Sequence, residues 1–457
     1  MTAARSSALE RLYRGLDRQL FGRSRWHGKA FDLPAADDVR QSAEAAVHLA
    51  WGEESIPGGH VECLWVDYEG LPAHGLVQAV RQRIGQPGGM VLARVWLRSG
   101  EAQPRLLMTG KLRLEHRSLQ RSVILCAAKL PSLIQGALAR RAVSLQAAPG
   151  SPCTAAPVSA PRLLWQMLKS ALAWLRGREQ WVIELGRRHD NATRPGPTVS
   201  RLDPPDTAFW ADPFLVRMGD RRYVLFEELP FRTQRGHISR VEIDTAGRPV
   251  GPAQVVLAEP WHLSYPFVWQ EGGRTFLLPE ASETGGTTLY EAVDGGAAWR
   301  RHAVLIEGTR LADATIVRYD GRLWMFASST VRGGALDDAL HIYYAPSVEG
   351  PWHAHPLNPV KVDASSSRPA GAMWVEGGVL YRVAQDCSTR YGGATVCLRV
   401  SRLTTDAFEE ETVPGWGPAE HGQRDPWHTF NFSEGLTVTD RLLTLPRWRT
   451  LRARARP

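Results

Sequence analysis

Five residues able to carry charge or donate hydrogen bonds open five similar segments of this chain. They are Asp212 in ADPFLV (211–216), Tyr265 in SYPFVW (264–269), Asp313 in ADATIV (312–317), Arg368 in RPAGAMW (368–374) and His428 in HTFNFSEGL (428–436). Successive intervals are 53, 48, 55 and 60 residues. Each opening is followed by a partner run, YVLFEE, TFLLPE, LWMFAS, LYRVAQD or LLTLPR. The ends of those runs supply Glu227 with Glu228, Glu280, and Gln385 with Asp386, while Trp210, Trp261, His262 and Trp427 stand close by in sequence. Carboxylates and arginine hydrogen-bond hydroxyl groups, and aromatic faces stack on the C–H face of a pyranose. The predicted substrate-binding set is therefore Trp210, Glu228, His262, Tyr265, Arg368, Gln385, Asp386 and His428. Paired carboxylates also suit glycosidic-bond chemistry, one activating a nucleophile and the other protonating the leaving oxygen. Asp212 is the candidate base or nucleophile. Glu280 is the candidate acid, because a neighbouring carboxylate raises a pKa by like-charge repulsion. Asp313 would tune that pair. In the plainer reading each acid caps a strand turn and binds backbone N–H groups.

The elements that must position these residues follow from the repeat. A polar residue opens each unit, an apolar strand follows, a Gly or Asp turn reverses the chain, and a second apolar strand returns. Glu271-Gly272-Gly273, Tyr319-Asp320-Gly321 and Glu376-Gly377-Gly378 read as hairpin turns. A period near 50 with about four strands per unit is that of a β-propeller blade. The last unit holds only two strands before the chain ends, and QWVIELG (180–186) is expected to complete it, since closure removes two exposed sheet edges. The predicted fold is mainly β: a five-bladed β-propeller over 179–450, preceded by a smaller α/β N-terminal domain over 1–146. In that domain Ala8–Phe21 and Ser118–Arg140 read as helices, the second broken near Pro131, and VECLWVDY and MVLARVWL as strands. Residues 147–178 read as a Pro-rich linker and an amphipathic helix, LLWQMLKSALAWLRG (163–177). Two readings of that helix stay open, a membrane-surface helix and a connector docked on the next domain. Residues 451–457 form a basic tail.

Composition narrows the class. With 43% hydrophobic and 22% charged residues in 457, the chain is neither an intrinsically disordered sequence nor an integral membrane bundle. Its net charge of +8 is unevenly spread. Residues 1–200 hold 27 basic and 16 acidic side chains, residues 201–440 hold 22 and 31, and the last 17 residues hold six arginines and no acid. Only five of the 55 basic residues are lysine, a bias expected of a GC-rich bacterial genome. The acidic body argues against nucleic acid as a partner, and no nucleic-acid motif accompanies the basic ends. Attraction to anionic lipid headgroups is the expected use of that charge. Neither a secretory signal nor a transmembrane helix is expected, so the predicted location is cytoplasmic, peripheral at the inner face of the membrane. Cys63, Cys126, Cys153, Cys387 and Cys397 are few and scattered, so free buried thiols are expected and no metal site or cofactor.

The ordered series FWADPFL, LFEE, HLSYPFVW, LLPE, LADATIV, GPWHAHPLNPV, SRPAG and LYRVAQDCSTRYG resembles the N-terminal propeller domain of glucosamine inositolphosphorylceramide transferases over roughly 180–415. More distantly, ADPF resembles the blade-one motif of five-bladed inverting arabinanases and xylosidases. That resemblance implies a general base at Asp212 and a pKa modulator at Asp313. The acid of those enzymes is a blade-four Glu, whereas blade four here opens with Ser367-Arg368-Pro369-Ala370-Gly371. Residues 1–146 lack the Asn, His and Asp pattern of an active formyltransferase, and a degenerate relic of such a domain is the expectation. The expected function is action on a glycosidic bond, by transfer or hydrolysis, in bacterial polysaccharide or glycolipid biosynthesis. The alternative is a non-catalytic propeller that binds a glycan or a sugar-containing lipid or nucleotide for a partner glycosyltransferase.

Overall fold

The computed structural model describes residues 12, 13, 16, 48–50, 62–86, 88–100, 102–142, 156–188, 195–330, 336–416 and 427–446. Most of the Ala8–Phe21 helix, residues 147–155 of the linker, Cys153 and the basic tail lie outside them. The chain forms two compact units that divide between Leu172 and Ala173.

In the first unit β1 (His48–Ala50) runs parallel to β2 (Glu62–Tyr68), which pairs antiparallel with β3 (Leu71–Pro72) and β4 (Met90–Ser99). β5 (Arg105–Arg113) pairs with β4. Val91, Ala93, Val95 and Leu97 alternate inward along β4, as the period of two requires. The expected Ser118–Arg140 helix is two helices, Leu119–Ala127 and Leu130–Ala139. Ser118 caps the first through the Arg121 N–H, and Pro131 occupies the first turn of the second, where its missing N–H is no loss. Taken together, the span Leu119–Ala139 is long and apolar enough to cross a membrane by length and composition alone. It is broken at Lys129, whose side chain is buried.

The second unit holds five antiparallel sheets. Blade I comprises β8 (Ala208–Met218), β9 (Arg221–Pro230), β10 (His237–Ile243) and β11 (Gln254–Leu257). Blade II comprises β12 (Ser264–Glu271), β13 (Arg274–Glu280), β14 (Thr287–Val293) and β15 (Ala298–Ile306). Blade III comprises β16 (Leu311–Tyr319), β17 (Arg322–Ser329) and β18 (Ala339–Ala345), the last flanked by β19 (His353–Ala354) and β20 (Lys361–Asp363). Blade IV comprises β21 (Trp374–Glu376), β22 (Val379–Asp386), β23 (Ala394–Leu403) and β24 (Phe408–Thr412). Blade V joins both ends of the propeller segment. Its order is β25 (Phe430–Ser433), β26 (Leu436–Pro446), β6 (Gly177–Arg188) and β7 (Pro195–Leu202). β6, which carries QWVIELG, pairs with β26 from Arg187 opposite Leu436 to Gly177 opposite Pro446.

Packing between neighbours closes these sheets into a ring. One apolar cluster joins blades I and II through Leu225, Leu277 and Trp299, and a second joins II and III through Phe267, Leu278 and Met325. A third joins III and IV through Phe326, Leu380 and Val400, and a fourth joins IV and V through Val383 and Phe430. The fifth returns from V to I through Ile183, Val438 and Phe226. Four innermost hairpins turn on two residues of positive φ: Gly272-Gly273, Asp320-Gly321, Gly377-Gly378 and Glu434-Gly435. Such turns match the right-handed twist of the flanking strands.

Candidate functional site

The innermost strands of blades I, II and III share an irregularity. The pairing of β8 with β9 shifts between Ala211 and Phe214, that of β12 with β13 between Ser264 and Phe267, and that of β16 with β17 between Ala312 and Thr315. In each bulge one non-glycine residue has a left-handed backbone: Asp212 at φ 53°, Tyr265 at 43° and Asp313 at 54°. Such conformations are uncommon for side chains with a Cβ and collect where a side chain must be re-aimed. All three residues are buried. Blades IV and V supply Arg368 and His428 from the segments just before β21 and β25, and these are buried too.

Asp212 is linked to Tyr265, Thr429 and His428. Its carboxylate accepts the Tyr265 N–H at 3.3 Å and the Thr429 hydroxyl at 2.8 Å, with His428 Nε2 at 3.6 Å. Asp440 holds the other side of this group. It accepts the backbone N–H groups of Asp212, His428 and Thr429 at 2.8–3.1 Å, and His428 Nδ1 lies 2.5 Å from Asp440 Oδ2. Burial draws the His428 imidazole down, but the carboxylates on its two nitrogens outweigh that and raise it to about 9. Burial pushes Asp212 up, with Asp440 adding to the shift and His428 opposing it. Asp212, His428 and Asp440 bring ligand atoms within 4.8 Å of one another, the spacing of a cation site. Protein donors already occupy their oxygens.

A second network centres on Arg368. Its Nε and Nη2 reach Asp313 at 2.6 and 3.1 Å, and Nη2 also reaches Glu280 at 3.2 Å. Gln385 donates to Asp313 at 3.3 Å, and Ser282 donates to Glu280 at 2.9 Å. Burial pushes Asp313 well above the carboxylate range against the pull of Arg368. Burial acts on Glu280 in the same direction, but the Arg368 charge and the hydrogen bonds to Glu280 leave it below its ordinary value. Glu280 is thus a carboxylate at neutral pH, the reverse of the raised acid expected from sequence. Like-charge repulsion was the expected influence, and the guanidinium between the two acids reverses it. Tyr265 ties the networks together: its hydroxyl accepts the Gly371 N–H at 2.7 Å and lies 2.8 Å from the Thr315 hydroxyl.

His262 joins from blade II. Its Nδ1 accepts the Gly236 N–H at 3.0 Å, so Nε2 carries the proton and donates toward buried Glu227 at 3.2 Å. Glu227 therefore belongs to the site. Glu228 does not, because successive strand residues point to opposite faces. Glu228 accepts the Ser239 hydroxyl at 2.7 Å and faces His237. Trp210 tilts against Phe226 at 4.7 Å within the V–I core, and Asp386 caps a turn through the Ser388 N–H. These three predicted residues lie away from the networks.

Two aromatics that sequence reasoning did not nominate complete the site. Trp181 of β6 stacks on His428 at 4.1 Å, and Tyr391 meets His428 edge-on at 5.8 Å. The Arg368 guanidinium lies 5.0 Å from the Tyr391 ring, and Tyr391 is exposed. The arrangement offers aromatic faces, a buried imidazolium and several carboxylates around one rim. Asp440 left a readable trace, an acid on the inward face of a strand between Val438 and Leu442.

A family model for the N-terminal region of glucosamine inositolphosphorylceramide transferase 1 matches residues 198–435. The Arabidopsis thaliana protein of that name is 33% identical over 223 residues, 48% of this chain and 29% of that one. The Oryza sativa subsp. japonica protein is 35% identical over 228 residues, 49% and 30% of the two chains. The match thus spans less than a third of the length of these relatives. Among solved structures, an exo-β-1,3-galactanase from Clostridium thermocellum is 11% identical with a TM-score of 0.38, over 50% of this chain and 59% of that one. An α-L-arabinofuranosidase from the same organism is 11% identical with a TM-score of 0.32, over 45% and 73%. With half of its residues matched to one family model, the chain belongs to the family of the N-terminal region of glucosamine inositolphosphorylceramide transferase 1.

Proposed function

We propose that the propeller is a glycan-recognition module that binds a sugar, as a free glycan or as the headgroup of a sugar-containing lipid, without cleaving a glycosidic bond. It would serve a partner glycosyltransferase. One observation carries this reading: Arg368 stands between Asp313 and Glu280 and holds Glu280 ionised. A pair of carboxylates works on a glycosidic bond only if one of them can deliver a proton. Glu280 is bound to a cation instead, and Asp313, the acid that burial raises, has both of its oxygens taken by Arg368, so neither stands free to protonate a leaving group. The exposed Tyr391 ring and half-buried Trp181 suit the C–H face of a pyranose, and family membership supports a sugar-bearing ligand.

One observation favours the other reading, action on the glycosidic bond. Asp212 is buried and raised, as a general base desolvated by its channel would be. A panel of glycans, glycolipid headgroups and nucleotide sugars, assayed for both binding and turnover, separates the two. The expected outcome is binding without turnover, weakened about tenfold by Asp212→Asn, which disturbs the contacts that hold Thr429 and His428 in place. Turnover that Asp212→Asn abolishes would establish the enzyme instead.

A further inference from the structure

The helix Ala160–Arg176 has two unlike sides. Leu163 is fully buried, whereas Trp165, Leu168 and Leu172 are 53%, 49% and 38% exposed. At 100° per residue the three exposed residues fall within about 60° of one another, forming one apolar stripe opposite Leu163. Among the described residues of this helix no other large apolar side chain is exposed to that degree. The helix carries Arg162, Lys169 and Arg176 and no acidic residue. Lys169 lies 5.4 Å from the Trp165 ring, beside the stripe.

We infer that this helix lies in the plane of an anionic membrane surface and inserts Trp165, Leu168 and Leu172 among the lipid headgroups and upper acyl chains. A tryptophan with a cation beside it suits the interface, where one end of the ring is apolar and the other wet. At 17 residues with three cations, the helix suits lying on a bilayer rather than crossing it. Charge decides the occupant. A second copy of this chain would set cations against cations, and residues 1–200 as a whole carry 27 basic and 16 acidic side chains. A surface of anionic headgroups complements both the stripe's cations and that wider excess. The inference stands independently of what the propeller binds.

The test is co-sedimentation of the full chain with phosphatidylcholine vesicles and with vesicles that also contain phosphatidylserine, at low and high salt. Binding is expected to the phosphatidylserine vesicles at low salt and to fall as salt rises. Leu168→Glu with Leu172→Glu, both at exposed positions, should weaken it about tenfold or more, through lost insertion and added repulsion. A Leu168→Cys chain bearing an environment-sensitive fluorophore should shift to the blue on the same vesicles, which reports insertion without relying on the double variant. Three results would each overturn the inference: no sedimentation of the native chain at low salt, equal binding by the double variant, or no spectral shift. Dimerisation that the double variant abolishes, without vesicle binding, would assign the stripe to a second copy instead.

Discussion

At the residue scale the site is a set of buried charges that hold one another. Among them His428 carries a large upward shift set by two flanking carboxylates. Asp440 and Asp212 raise it to about 9 in the folded chain, against about 6.5 when exposed to water. A group raised on folding stabilises the fold fully below its unfolded value and loses that contribution as pH climbs through the folded one. The shift corresponds to about 3 kcal/mol at its upper limit, present below about pH 6.5 and gone above about pH 9. Urea unfolding midpoints should therefore fall between pH 6.5 and 9.5 in the native chain. His428→Gln, which keeps a donor and no titrating proton, should flatten that fall. An equal slope in both chains would show that His428 is not the charged partner of Asp440.

At the element scale the three left-handed bulges explain both what could be read in advance and what could not. ADPF, SYPF and ADAT share their place in the repeat, so the polar openers Asp212, Tyr265 and Asp313 were legible from spacing alone. The bulges were not legible, because ADPF and ADAT hold no residue that demands positive φ. Asp440 enters through a partner 228 positions away in sequence, a distance no local pattern spans. Glu227 rather than Glu228 faces His262, because neighbouring strand residues alternate in face and the register that pairs Glu227 with Ala211, next to the bulge, is not written in the repeat. Trp210 looked like a stacking platform, but its position in β8 assigns it to the core between blades V and I. The bulges also give Tyr265 its role as a bridge. Tyr265→Phe would remove the acceptor for the Gly371 N–H and leave that buried group unpaired. The expected cost is about 1–3 kcal/mol by chemical denaturation, with little change in circular dichroism. A neutral substitution would mean that the hydroxyl is not what links blades II, III and IV.

At the scale of the whole molecule, stability depends on a strand far from the carboxyl terminus it pairs with. β6 completes blade V, and its Ile183 and Leu185 are fully buried in the cluster that joins blade V to blade I. An open propeller would expose the edges of blades I and V and half of that cluster, so the ring gains most from its last contact. Trp181, on the same strand, stacks on His428, so closure and the site's geometry depend on one element. Ile183→Ala deletes fully buried methyl groups at that closure and should cost about 2–5 kcal/mol. Because the five blades form a ring rather than an open stack, the loss should appear as an earlier midpoint of one transition. Tryptophan fluorescence and far-ultraviolet circular dichroism should report the same midpoint for the propeller. A new early transition seen by fluorescence alone would mean that blade V opens independently, and that the site can be dismantled while the other blades stay folded.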